Sequence, residues 1–202
     1  MLFIIIKSFR VLIHFMFIVI EAIDGAGKDT QIDLLKKTIK FSYFKYPTSG
    51  NKRLRAYLEK KEDINGSELV DLFLDDIYSE QGKVADATKL GLTISDRYLF
   101  STIAYESHLV DFDEIKKRAE LHGFIKPDLV VLLDIHANVA QQRKAKQKKL
   151  DRYEENINYL ENVRKQFLRL YEERYFAKKW VKIDATRSIE AIHKDILNVL
   201  KK

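Results

Sequence analysis

The chain has 202 residues, 46% hydrophobic and 33% charged, which suits one domain with a buried core. It contains no Cys, which excludes disulfides, thiolate catalysis and Cys-based zinc sites. The 36 basic residues against 30 acidic ones give a net charge of +6, which favours anionic partners, nucleotides as readily as nucleic acid.

Residues 1–15 are apolar but interrupted by Lys7, Arg10 and His14. That stretch is too short and too charged to span a bilayer, and it lacks the charged start and small-residue cleavage site of a signal peptide. Met16 follows directly before the first expected strand, so 1–15 reads as an N-terminal extension and Met16 as the expected natural start. Residues 16–202 then form a single domain.

From Met16 short apolar runs alternate with longer amphipathic ones, the pattern of an α/β fold on a parallel sheet. Strands are expected at 17–21, 42–46, 92–95, 129–134 and 180–184. Helices are expected at 28–39, 52–61, 67–88, 101–109, 113–122, 137–149, 156–175 and 188–200. In such sheets ligands bind at the carboxyl ends of the strands, so the motifs found there carry most weight.

After the first strand runs Glu21-Ala-Ile-Asp-Gly-Ala-Gly-Lys-Asp-Thr30, the setting of a phosphate-binding loop. Gly25 and Gly27 allow a tight turn close to an anion, and Lys28 adds a charge on the outer phosphates. The following helix contributes its partly positive N-terminus. Two positions depart from the usual pattern: Ala22 replaces the first glycine, and Asp29 replaces the hydroxyl residue that meets Mg²⁺. A carboxylate is a hard oxygen ligand, yet it adds negative charge beside the phosphates. Thr30 offers a hydroxyl one position on. The plainer alternative is a glycine turn between strand and helix.

The second strand leads into Lys45-Tyr-Pro-Thr-Ser-Gly50 and a helix carrying Arg53 and Arg55. The third ends in Ser95-Asp-Arg-Tyr98, where Asp96 is placed for Mg²⁺ and Arg97 for a bidentate phosphate clamp. Leu129-Val-Val-Leu-Leu133 reads as a central strand covered on both faces. From Gln141 to Arg152 come Arg143, Lys144, Lys146, Lys148, Lys149 and Arg152 against one acid, Asp151. An ordinary ion pair is the plainer reading of Asp96-Arg97, and a solvated helix face that of the basic run. Ser188 is a ready cap for the last helix, whose apolar stripe is Ile189, Ile192, Ile196 and Leu200.

These motifs together resemble the thymidylate kinases, nucleoside monophosphate kinases that make dTDP from dTMP and ATP. The resemblance runs from about Phe17 to Leu200. Its pieces are the loop from Ile20 to Gln31, Tyr46-Pro-Thr48, Leu72-Phe73, Asp96-Arg-Tyr98 with Ser101 and Ala104-Tyr105, Lys126-Pro-Asp128, Asp151-Arg-Tyr-Glu154 and Ile183 to Ile192. The fold it implies is the three-layer P-loop nucleoside monophosphate kinase α/β fold, a five-stranded parallel sheet flanked by helices, with a small lid at about 137–152.

The resemblance also implies roles. Asp24, Gly25, Ala26, Gly27, Lys28, Asp29 and Thr30 would hold ATP, with Arg143 and Ala185 on the adenine side. Asp29, Asp96 and Glu21 are the expected Mg²⁺ ligands. Asp24 matches the carboxylate that holds the acceptor sugar's hydroxyl, and Phe73 the aromatic that stacks on thymine, though a lone helical Phe is also an ordinary core residue. Arg55 and Arg97 match the arginines on the acceptor phosphate; Ser101, Tyr105 and Tyr153 fall beside the acceptor. Lys28, Asp96, Arg97 and Arg152 are the expected catalytic residues. With no arginine at Gly25, transition-state charge is expected to come from the lid, from Arg152 with Arg143 or Lys148. The implied partners are nucleotides and a second copy of the chain through the helices around 52–88, with no membrane or nucleic acid, in the cytoplasm.

The chain departs from the family at Ile77, where many members place an arginine that reads the base, and at Glu106, where a Gln often contacts it. Rival readings are a kinase of another nucleoside monophosphate or of a deoxynucleoside, and a nucleotide-binding protein weakened at Asp29. A nucleic-acid-binding protein is disfavoured, because the lysine run has no interleaved aromatics.

Overall fold

The structure is a computed structural model that describes residues 16–145 and 156–201. Residues 1–15, assigned above to an extension, lie outside the described residues, as does most of the basic part of the expected lid.

Five strands form one parallel sheet in the order β2-β3-β1-β4-β5. They are β1 (Phe17–Ala22), β2 (Ser42–Lys45), β3 (Thr93–Asp96), β4 (Leu129–Asp134) and β5 (Trp180–Asp184). Every residue of β1 is buried, and β4 is buried up to Asp134. That is the reason for the apolar runs at 17–20 and 129–133, since helices cover both faces of a parallel sheet. The edge strand β2 is only partly covered.

The intervening helices are α1 (Lys28–Thr38), α2 (Lys52–Leu58), α3 (Gly66–Tyr78), α4 (Gln81–Leu90), α5 (Leu99–Glu106), α6 (Phe112–Leu121), α7 (Ala137–Ala145), α8 (Ile157–Glu172) and α9 (Ile189–Leu200). All eight residues of α5 are buried, and it packs against α3, α6 and α8. A helix enclosed on every side positions its polar residues firmly, and α5 carries Ser101, Tyr105 and Glu106. Ser188 caps α9 as expected, accepting from the Ala191 N–H at 3.2 Å. Of the α9 stripe, Ile192 and Ile196 are buried, whereas Ile189 is half exposed.

One expected helix, 67–88, is two. The Glu80 N–H bonds to the Ile77 carbonyl in a tightened turn, and α4 starts at Gln81. The buried Gln81 side chain explains the break: its Oε1 accepts from Tyr98 Oη at 2.7 Å and from the Ile125 N–H at 2.9 Å. A continuous helix would carry those bonds elsewhere. Among the described residues no helix is long and apolar enough to cross a membrane.

Registers decide what the sheet brings together. Ile20 pairs with Asp96 and Asp96 with Lys45, so the ends of β1, β3 and β2 lie side by side.

Candidate active site

The loop after β1 turns through Gly25 (φ 86°) and Gly27 (φ 89°), conformations that glycine adopts freely. Gly27 is the N-cap of α1, and Lys28 its first residue. A Cβ at Gly25 would lie 2.4 Å from the Ala140 carbonyl oxygen, so α7 rests directly on the loop. That contact also leaves no room for an arginine at Gly25.

Lys28 is buried and bonds to Asp96 Oδ1. Asp96, fully buried, also accepts from Tyr43 Oη at 3.0 Å and lies 3.2 Å from Lys45 Nζ. Burial alone would raise its pKa, but Lys28, Lys45 and Arg97 outweigh this and hold it ionised below the usual carboxylate range. Lys28 moves down, through burial first and then the charge of Arg97. Asp29 is largely exposed and lies 3.4 Å from Lys45 Nζ, and Thr30 is exposed beside it.

On the other flank Arg97 has φ 71°, a left-handed conformation costly for a non-glycine residue. Its partners secure it: Nη2 is 2.5 Å from Asp24 Oδ1, Nη1 donates to Ser101 Oγ at 3.1 Å, and its guanidinium lies over the Tyr105 ring. Tyr105 Oη donates to Asp24 Oδ2 at 3.0 Å and accepts from the Asp24 N–H at 3.0 Å. Burial lowers the pKa of Arg97, but Asp24, Tyr105 and Glu21 more than reverse this, so it stays charged. Asp24, Arg97, Ser101 and Tyr105 are thus one hydrogen-bonded group, joined through the loop to Lys28 and Asp96.

A profile of the thymidylate kinase family matches residues 20–196. The chain belongs to the thymidylate kinase family. It is 34% identical to a probable thymidylate kinase of Methanocaldococcus jannaschii, covering 92% of this chain and 96% of that one. It is 32% identical to a thymidylate kinase of Fervidobacterium nodosum (91% and 98% covered) and 29% identical to one of Plasmodium falciparum (92% and 90%).

Other residues expected from the thymidylate kinase resemblance are placed separately. Arg55, exposed on α2, donates to the Ser49 carbonyl. Phe73 is partly buried on α3 and packs against the core. Arg143 donates to the carbonyls of Ala185 (2.7 Å) and Thr186 (3.1 Å), so α7 is tied to the loop after β5. Arg152 and Tyr153 lie outside the described residues. Ile77 is a core residue, 2% exposed, and Glu106 is equally enclosed.

Glu21, also expected as a Mg²⁺ ligand, is enclosed by the fold. Its side chain is fully buried, Oε1 accepts from the Tyr98 N–H at 2.9 Å, and Oε2 accepts from Ser101 Oγ at 2.6 Å. Burial pushes its pKa up to about 7, against the opposing effects of Ser101, Arg97 and Lys28. Asp29 and Asp96 do suit a hard divalent cation by donor chemistry. Among the described residues no cluster of three or more His, Cys, Asp or Glu could hold a metal by itself.

A cleft of about 510 Å³ opens beside the site, between the loop of Thr48 to Asn51 and the faces of α3 and α4. Asp76 secures that loop, accepting from the Thr48 N–H at 2.7 Å and from Thr48 Oγ1 at 2.6 Å. Neither Lys28 nor Arg97 lines this cleft, so the chemistry is assigned to the loop. Lys45 was noted in the motif after the second strand but given no role, and Tyr43 was not singled out. The signal available for them was position alone, at the carboxyl end of a strand beside the Asp-Arg strand.

Proposed function

We propose that the chain transfers the γ-phosphoryl group of ATP to dTMP, giving dTDP and ADP, with Mg²⁺ as the metal. The observation that carries this reading is the Asp24–Arg97–Tyr105 group beside a phosphate loop with Lys28. It supplies a cation for an acceptor phosphate and a carboxylate for a sugar hydroxyl on the flank of the loop where an acceptor must sit. A free nucleoside would not need the cation.

In this reading Lys28 and the loop N–H groups bind the donor phosphates, with Asp24, Gly25, Ala26, Gly27, Asp29 and Thr30 around them. Arg97 aligns the acceptor phosphate, assisted by Arg55, while Ser101, Tyr105, Tyr153 and Phe73 surround the acceptor nucleoside. Arg143 and Ala185 stand on the adenine side. The acceptor phosphate oxygen forms the new bond to the γ-phosphorus as the bond to the β–γ bridging oxygen breaks. ADP departs with that electron pair. The nucleophile is already deprotonated, so no general base is needed, and catalysis consists of positioning and charge neutralisation. Mg²⁺, when bound by Asp29 and Asp96 with the phosphates, supplies further neutralisation of phosphate charge. Arg152, with Arg143 or Lys148, contributes transition-state charge from a lid at about 137–152. Cytoplasmic location and a homodimer through the helices around 52–88 complete the reading; Tyr78, 50% exposed on α3, suits such an interface.

A second acceptor is favoured by one observation: Ile77 sits in the core where many thymidylate kinases place a base-reading arginine. Loss of one polar partner is worth about 1–3 kcal/mol of discrimination. The test is Mg²⁺-dependent ADP formation with dTMP, dUMP, dCMP, UMP or thymidine as acceptor. The expected outcome is turnover led by dTMP. Preference for another monophosphate would move the reading to a sister kinase, and turnover on none would overturn it.

A further inference from the structure

The position after the loop lysine carries a carboxylate, Asp29, where the motif usually has a neutral hydroxyl. A second carboxylate, Asp96, lies behind it with its side chain fully buried. Nucleotide phosphates brought here would meet two negative groups, with Lys28 shared between the phosphates and Asp96. Lys45 is the cation that answers this. It ends β2 directly opposite Asp96 in the register, and its Nζ stands 3.2 Å from Asp96 Oδ2 and 3.4 Å from Asp29 Oδ1. Tyr43, on the same strand, adds a hydroxyl donor to Asp96 at 3.0 Å. Two ammonium groups therefore face two carboxylates, the same balance as one lysine facing one carboxylate beside a hydroxyl.

We propose that Asp29 and Lys45 work as one unit, in which Lys45 supplies the charge that allows a carboxylate at the hydroxyl position of the phosphate loop. Lys45 is thus a positioning residue for nucleotide binding, acting through Asp29 and Asp96. The inference rests on the kinase reading above and deepens it. It accounts for Asp29 as a working variant of the loop and not as a lesion. The edge position of β2 explains why the unit is possible: Lys45 keeps half of its side chain in solvent, so its charge costs little to maintain there.

The test is a double-mutant cycle on the full chain, with ADP affinity measured by calorimetry in the presence of a metal chelator. Lys45→Met is expected to weaken ADP binding about tenfold, and to have little effect in the Asp29→Ser background, a coupling of the size contacting charges give. Lys45→Arg, which keeps the charge, is expected to retain binding. An equal loss in both backgrounds, or no loss in either, would overturn the proposal. The same cycle read by urea denaturation of nucleotide-free protein supplies a separate readout. If the unmodified chain binds no ADP, the kinase reading fails. Coupled urea midpoints would then still support the pair, and additive ones would overturn it.

Discussion

Arg97 Nη2 lies 2.5 Å from Asp24 Oδ1, so the turn after β3 is clamped to the phosphate loop after β1 by a charged hydrogen bond. Both side chains are mostly buried, 15% and 22% exposed, which keeps water from competing. The clamp holds Arg97 in its left-handed backbone conformation with the guanidinium beside the loop.

Arg97→Ala is expected to lower turnover at least about a hundredfold, the cost of one oriented charge stabiliser. Arg97→Lys should recover little, because an ammonium cannot bond Asp24 and Ser101 through one planar fork. Steady-state kinetics with dTMP checks both; near-normal turnover in the alanine variant would remove Arg97 from the acceptor site.

Glu21 gives the protein a pH-dependent stability. Its folded pKa of about 7 lies above the ordinary 4.5, because burial disfavours the charged form. Its contribution is therefore fully present below about pH 4.5 and is lost as the pH rises through 7. Relative to Glu21→Gln, the unmodified protein should lose on the order of 3 kcal/mol between pH 4.5 and 7.5. Urea denaturation of both at several pH values is the check, and parallel curves would contradict the buried carboxyl.

Gly25→Ala should damage both loop and helix α7. The added Cβ would meet the Ala140 carbonyl at 2.4 Å, and φ 86° is unfavourable for alanine. A stability loss on the order of 2 kcal/mol is expected, with weakened ATP binding. Thermal denaturation and calorimetry measure the two effects; a neutral variant would mean that α7 does not rest on the loop.

Arg164 ties α8 to the end of β4. Its Nε and Nη2 bond the two Asp134 oxygens at 2.7 and 3.1 Å, and its Nη1 donates to Glu161 at 2.8 Å. The Arg164–Asp134 pair is only 15% exposed on each side, so Arg164→Ala leaves an enclosed carboxylate without its bidentate partner. A loss of about 2 kcal/mol in urea denaturation is expected, with Asp134→Asn relieving part of it in the double variant.

Some of this was legible in the chain and some was not. The loop from Glu21 to Thr30 and the Asp96-Arg97 pair are contiguous motifs, and β1 and β4 carry the continuous apolar runs at 17–20 and 129–133. The break between α3 and α4 was not legible: both pieces carry helical periodicity, and the bonds of Gln81 that favour the break come from Tyr98 and Ile125. The enclosure of Glu21 was not legible either, because a carboxylate next to a phosphate loop carries no local sign of burial. Only the folded neighbours Tyr98 and Ser101 reveal that each of its oxygens accepts a hydrogen bond.

The parallel α/β class, the phosphate loop and the kinase family follow from the chain's residue types, local spacing and short contiguous motifs. The tertiary structure alone decided that Lys45 reaches Asp29 and Asp96, that Ala140 closes over Gly25, and that Glu21 is buried. The physical reason is register and packing: these groups lie on different strands and helices, and their charges and volumes interact only once the sheet aligns the strand ends.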